Sequence, residues 1–121
     1  MNDHAIEQEI QAKGLTAPRI TPDDIEAAIE EEVYFTGFQG AIGAVGEKFA
    51  HLYAPKELHI LTFCVLILKN GFMVTGESVC ASPENFDLDI GQRIARQNAV
   101  QKIWPLMGYA LKDQLYNKEA Q

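Results

Sequence analysis

The stretch His59-Ile-Leu-Thr-Phe-Cys-Val-Leu-Ile-Leu-Lys-Asn-Gly-Phe-Met-Val-Thr-Gly-Glu-Ser-Val-Cys80 decides how this chain is read. Two runs rich in β-branched and aromatic residues flank Asn70-Gly71, the strongest short-range signal for a β-hairpin. A two-residue turn in which both Asn70 and Gly71 take positive φ sets a definite register. Lys69 then faces Phe72, Ile67 faces Val74, Val65 faces Gly76, Phe63 faces Ser78 and Leu61 faces Cys80. Side chains alternate along a strand, so these residues share one sheet face, the drier one, expected against the core. The other face carries Leu68 and Met73, Leu66 and Thr75, Cys64 and Glu77, Thr62 and Val79. It is too apolar near the turn to be left in water, which predicts a cover by a helix or by another subunit.

The same register points Cys64 and Cys80 to opposite faces, against a disulfide between them. Both read as small core hydrophobes, in keeping with a reducing compartment.

With 121 residues the chain is expected to be one domain with a modest core. Its apolar content of 47% and mean hydropathy of −0.11 are ordinary for a soluble protein. The longest apolar run, Phe63 to Leu68, is far below the ~20 residues of a membrane span, and no secretory signal is recognisable. A net charge of −7 and a pI near 4.8 argue against broad binding to nucleic acid or to anionic membranes.

Residues 1–20 read as a polar, partly ordered arm, with a short helix over 5–13 the most it would form. Thr21-Pro22-Asp23-Asp24 is a helix start: a capping hydroxyl, a proline at the first position, and acids at the positive end of the dipole. Ile25, Ala28, Ile29 and Val33 then recur at helical spacing, which predicts a helix over about 22–34.

Glycines 37, 40, 43 and 46 follow every third residue. They fit neither a collagen-like helix nor a P-loop, and read as a flexible loop or a helix with a small-residue face. A turn or two of helix is expected from Glu47 to Tyr53. His51 and His59 have no companions at metal-ligand spacing.

Beyond the hairpin, Asp87 caps a long helix whose inward stripe reads as Ile90, Ile94, Ala95, Asn98, Ala99 and Ile103. Pro105 is expected to kink or break it. The fold class is therefore α+β: a central antiparallel hairpin (about 58–69 and 72–80) with an N-terminal helix (about 22–34). A long, Pro-broken C-terminal helical segment (about 87–116) completes a single domain over 21–117, with a frayed tail at 118–121.

From His59 to Leu115 the chain resembles the small phage proteins of the N4 Gp49/Sf6 gene 66 family. The residues that carry the likeness include Leu61-Thr62-Phe63-Cys64-Val65-Leu66, Leu68-Lys69-Asn70-Gly71-Phe72, Val74-Thr75-Gly76-Glu77-Ser78, Asn85-Phe86-Asp87 and Lys102-Ile103-Trp104-Pro105-Leu106. The resemblance implies a phage or prophage accessory gene acting in the bacterial host cytoplasm. It implies no reaction and no catalytic residues.

Chemistry is sparse. Glu77 beside Thr75 and Cys64, or Asp87 with Asp89, has no histidine placed next to it, and the two aspartates are explained by helix capping, so catalysis is not expected. No cofactor is implied. Binding is the better expectation. Glu77 and Ser78 flank Gly76, where a backbone or ligand can approach closely. Arg93 and Arg96 lie within one turn and could grip a phosphate, or else pair with Asp89 or Gln97. Tyr34, Phe35 and Trp104 offer rings for stacking, Thr62 and Thr75 offer hydroxyls, and His59 stands at the strand entrance.

These residues make the candidate ligand set for a counter-defence protein that sequesters a small, anionic, nucleotide-derived immune signal, its pocket completed by homo-oligomerisation. The alternatives are an acidic inhibitor that docks on a host protein and a minor phage structural or assembly protein.

Overall fold

The computed structural model describes residues 2–49, 52 and 54–120. The expectation of helical turns up to Tyr53 falls partly outside them, as does His51; Glu47–Phe49 forms a single 3-10 turn. The order is α1 (Asp3–Ala12), α2 (Pro22–Ala28), β1 (Ile29–Thr36), α3 (Gly37–Val45), β2 (Leu61–Leu68), β3 (Met73–Val79) and α4 (Leu88–Glu119). Strands pair antiparallel in the order β1-β2-β3, and α4 lies across one face of the sheet. The architecture is α+β, as the sequence implies.

The hairpin forms with a register one residue away from the expected one. Ile67 pairs with Met73, Val65 with Thr75, Phe63 with Glu77 and Leu61 with Val79. Within the turn Gly71 alone takes positive φ (88°), and no non-glycine residue among those described does. Asn70 therefore cannot supply the two-residue turn. Instead the Gly71 N–H donates to the Leu68 carbonyl at 2.8 Å, and the Leu68 N–H donates to the Phe72 carbonyl at 2.8 Å. This is a three-residue loop with glycine at its left-handed position. Asn70 acts through its side chain, whose Oδ1 accepts the Phe72 N–H at 2.9 Å.

One residue of shift moves β3 to the other face relative to β2. The buried side is Thr62, Cys64, Leu66 and Leu68 with Val74 and Gly76, so the β2 residues read as the mixed face are the core. Leu61, Phe63, Val65 and Ile67, read as the dry face, lie half-buried on the outer side. The opposite-face argument for the cysteines lapses with the register. They are nonetheless free thiols: Cys64 is buried and the Cys80 Sγ donates to the Ser82 carbonyl.

The N-terminal helix stops at Ala28, not near residue 34. Thr21 caps it in a reciprocal box with Asp24, as its start predicts. From Ile29 the chain becomes an edge strand whose Val33-Tyr34-Phe35-Thr36 suits a pleated surface. A bulge at Glu30 lets Ile29 pair with Leu68 and Glu32 with Leu66. The glycine-rich stretch is a helix, α3, entered through a second reciprocal capping box between Thr36 and Gln39.

Helix α4 continues through Pro105 and into the tail expected to fray, ending at Glu119. Pro105 and Gln101, whose carbonyl loses its donor, are both exposed, so water can replace the missing bond. The inward stripe is Gly91, Ala95, Ala99 and Ile103; Ile90 and Ile94 face outward at 48% and 42% exposure. Small residues occupy that stripe because α4 rests directly on the backbone of β3 at Gly76. Ile25 completes the core, with Ile20, Ile29, Tyr34, Val100, Trp104 and Met107 around it.

Candidate functional site

The ten residues singled out by the sequence separate into three places. The first is the junction of α2, β1 and α4. Arg96 donates from Nε to Glu32 Oε1 at 2.8 Å and from Nη1 and Nη2 to Glu26 at 3.1 and 2.7 Å. Its guanidinium is thus clamped by two carboxylates, a bidentate geometry that leaves little for a phosphate. Tyr34 donates its hydroxyl to the same Glu32 Oε1 at 2.7 Å.

The hydrogen bonds from Arg96 hold the Glu32 carboxyl below its ordinary range, and the two carboxylates hold the guanidinium still more firmly protonated. Burial, then the bond to Glu32, pushes the Tyr34 hydroxyl up; burial does the same to the Cys64 thiol. Both stay protonated at neutral pH, so Cys64 is no nucleophile. Arg96 and Tyr34 bind the fold together here.

The second place is α4 and its surroundings. Arg93 pairs with Asp89 at 3.0 Å, both exposed, an interaction of small worth. Ser78 is half-buried at the end of β3. Trp104 donates from Nε1 to Asp3 Oδ2 at 3.3 Å, and Gln101 donates to the same oxygen at 3.2 Å, which ties α1 to α4. Beside this tie lies an open cleft of about 700 Å³ lined by Asp3, His4, Glu26, Arg96, Gln101 and Trp104. Its two carboxylates and its already neutralised arginine disfavour an anion there.

Thr62 is 1% exposed, and its Oγ1 is a buried oxygen without a hydrogen-bond partner among the described residues. Gly91 of α4 passes so close that a Cβ there would stand 2.9 Å from that oxygen. No ligand reaches it. An orphaned hydroxyl costs about 1–3 kcal/mol in desolvation. Thr62→Val, similar in shape, is therefore expected to melt at the same temperature or higher, by up to about 1 kcal/mol of stability, in a calorimetric scan. It should leave any ligand binding unchanged.

The third place is the outer face of the sheet, opposite α4. The pairing aligns three rows across it: Phe35–Phe63–Glu77, Val33–Val65–Thr75 and Glu31–Ile67–Met73. Leu61 and Val79 form a further row at the end away from the turn. Here the structure does gather predicted residues, namely Phe35, Thr75 and Glu77. Thr62, expected beside them, is on the other side.

Helix α3 walls one end of this face: Gly40 lies against the Phe35 ring, and Gly37 against Leu61 and Leu58. The Phe35 and Phe63 rings stack at 5.4 Å, and Phe38 stacks on His59 at 3.8 Å between centroids. The rest lies open, with Val33, Met73 and Val79 exposed by 43%, 57% and 67%. Contiguous apolar surface of this kind marks an interaction site.

Phe38, Phe63 and Val65 are the site residues the sequence reading missed, whereas Met73 shares a face with Thr75 and Glu77 as expected. The signal is present, since Leu61, Phe63, Val65 and Ile67 alternate strictly, but the expected register turns them to the core.

Among the described residues no group of three His, Cys, Asp or Glu side chains could hold a metal ion, and no helix is long and apolar enough to cross a membrane. The fold is that of a small α+β protein with one open sheet face, and residues 20–115 match the Phage protein (N4 Gp49/phage Sf6 gene 66) family. The chain belongs to that family. No curated protein and no solved structure matches it. The matched span takes in α2, the whole sheet, α3 and most of α4, and leaves α1 outside.

Proposed function

We propose that this phage protein is a counter-defence accessory factor that acts in the host cytoplasm by binding rather than by catalysis. It sequesters a small nucleotide-type signal on the outer face of its sheet. The observation that carries the reading is the face itself: apolar and aromatic, with Thr75 and Glu77 as hydrogen-bonding groups, and, among the described residues, left open by the chain's own helices except at the end that α3 walls. The rings at the α3 end offer π faces to a base, and Thr75 and Glu77 can pair with ribose or base edges. Lys69 stands at the turn end and His59 at the α3 end. Arg96, clamped by two carboxylates, drops out of the ligand set, and so does Arg93, which stands on α4 on the opposite side of the sheet.

The test is a thermal-shift panel of linear and cyclic nucleotide signals on the full chain, followed by heating and chromatography of the released ligand. At a hundredfold excess over Kd a true ligand adds about 2.7 kcal/mol, a rise of several degrees. It should be recovered chemically intact. Thr75→Glu should abolish the shift while leaving the circular dichroism of the free protein unchanged. No shift with any member of the panel would refute the reading.

A second reading, docking on a basic host protein, draws on Glu30 and Glu31, exposed along the β1 edge. Capture of one host protein from lysate, weakened by salt and by Glu30→Lys/Glu31→Lys, would favour it.

A further inference from the structure

We propose that a second copy of this chain covers the outer face of the sheet, related by a two-fold axis that crosses the strands near Val65. The proposal deepens the sequestration reading, on which only its meaning for ligand binding rests.

Neither edge of the sheet can take another strand. Leu68 and Phe72 form a hydrogen-bonded pair, so along β3 the residues Met73, Thr75, Glu77 and Val79 turn their N–H and C=O groups to the free edge. There Asn98 of α4 donates to the Glu77 carbonyl at 2.8 Å. Helix α4 also sits directly over Gly76. A second β3 added at ~4.8 Å would bring its own α4 within about 5 Å of the first, whereas packed helices need ~8–10 Å. The β1 edge carries Glu30, Glu31 and the bulge, features that discourage strand addition. What remains open to a second copy is the face.

The charges on that face are laid out for self-association. Its two carboxylates stand on opposite edge strands and in different rows, Glu31 beside Ile67 and Glu77 beside Phe63. The uncharged row Val33–Val65–Thr75 lies between them. A two-fold axis across the strands exchanges the outer rows. It lays Glu31 on the partner's Phe35 and Glu77 on the partner's Met73, so no carboxylate meets its own copy. It also carries Lys69 of one chain to the Glu77 end of the other. Helix α3, which walls the Phe35 end of its own sheet, then lies on the bare turn end of the partner's sheet. Each face is closed by one helix from each copy, with the Thr75 row enclosed at the centre.

The test uses the full chain without ligand. Sedimentation velocity should give a particle of twice the 13.5 kDa chain mass. Val33→Asp and Met73→Asp, at exposed positions, should give monomers with unchanged circular dichroism, while Arg93→Asp on α4 should remain dimeric. Carbodiimide cross-linking of the unaltered protein gives an independent readout. Lys69 and Glu77 lie about six residues apart along the ladder, roughly 20 Å within one chain. A Lys69–Glu77 cross-link must therefore join two copies, and we expect it.

A monomer at all concentrations, a dimer indifferent to both face variants, or a dimer without that cross-link would each overturn the proposal. A dimer that binds no nucleotide would leave it standing and refute the sequestration reading alone.

Discussion

Gly76→Ala is expected to be the most damaging single-methyl change in this protein, costing about 3–5 kcal/mol. A Cβ on Gly76 would fall inside the contact distance of the Ala95 carbonyl oxygen and the Ala99 nitrogen of α4. Both are helix backbone atoms, so no rotamer change can make room, and α4 must lift off the sheet. Lifting it also loosens Ala95, Ala99 and Ile103, each 0% exposed, and breaks the bond from Asn98 to the Glu77 carbonyl. Urea denaturation should show the midpoint falling sharply. Gly43→Ala, where a Cβ would meet nothing within 4 Å, is the matched control. It should be neutral or stabilising by up to about 1 kcal/mol, since alanine is the better helix former.

Arg96→Ala should cost about 2 kcal/mol and should alter the pH dependence of stability. The substitution removes the cation that joins Glu26 of α2 and Glu32 of β1 to α4, and leaves Glu32 with the Tyr34 hydroxyl but no cation. Fully buried pairs of this kind cost 3–5 kcal/mol to break; the exposures of 27% for Arg96 and 36% for Glu32 call for a smaller figure.

The carboxyl of Glu32 is held below its unfolded value, so its contribution is complete above pH about 4.3 and is lost as pH falls through the folded value. Melting temperatures of wild type and Arg96→Ala should therefore differ most near neutrality and converge towards pH 3. The pair of Glu7 with Arg19, also depressed on the carboxyl side, is untouched by the substitution and adds the same acid slope to both proteins. Arg96→Lys should recover only part of the loss, because an ammonium cannot serve two carboxylates with a planar fork.

How much of this was legible in the sequence depended on whether a signal was local. Asn70-Gly71 announced the hairpin, and Thr21-Pro22-Asp23-Asp24 and Asp87 announced two helix starts, because each acts within a few residues. The turn type was not legible, since Asn-Gly also suits a loop in which glycine alone is left-handed. That single residue inverted the assignment of faces.

β1 was hidden for a different reason. The bulge makes the inward positions Ile29 and Glu32 three residues apart, and with Ile25 and Ala28 ahead of them this step imitates a helical repeat. On α4 the larger side chains Ile90 and Ile94 suggested one stripe, while close approach to β3 selected the smaller residues Gly91, Ala95 and Ala99. For Arg96 the sequence offered a phosphate, Asp89 or Gln97, because its partners Glu32 and Glu26 are 64 and 70 residues away. Of the candidate site, Phe35, Thr75 and Glu77 came together as neighbours on one face, and Thr62 parted from them with the register.

The tie between α1 and α4 gives the molecule an optical property of its own. The chain has one tryptophan, and its indole nitrogen is bonded to Asp3 at the start of α1. Helix α1 buries none of its residues, so it belongs to the part of the fold that opens with least free energy. Intrinsic indole fluorescence is therefore a single-site signal that senses the N-terminal helix leaving its seat. The sheet and its outer face, on the far side of α4, contribute no emission of that kind.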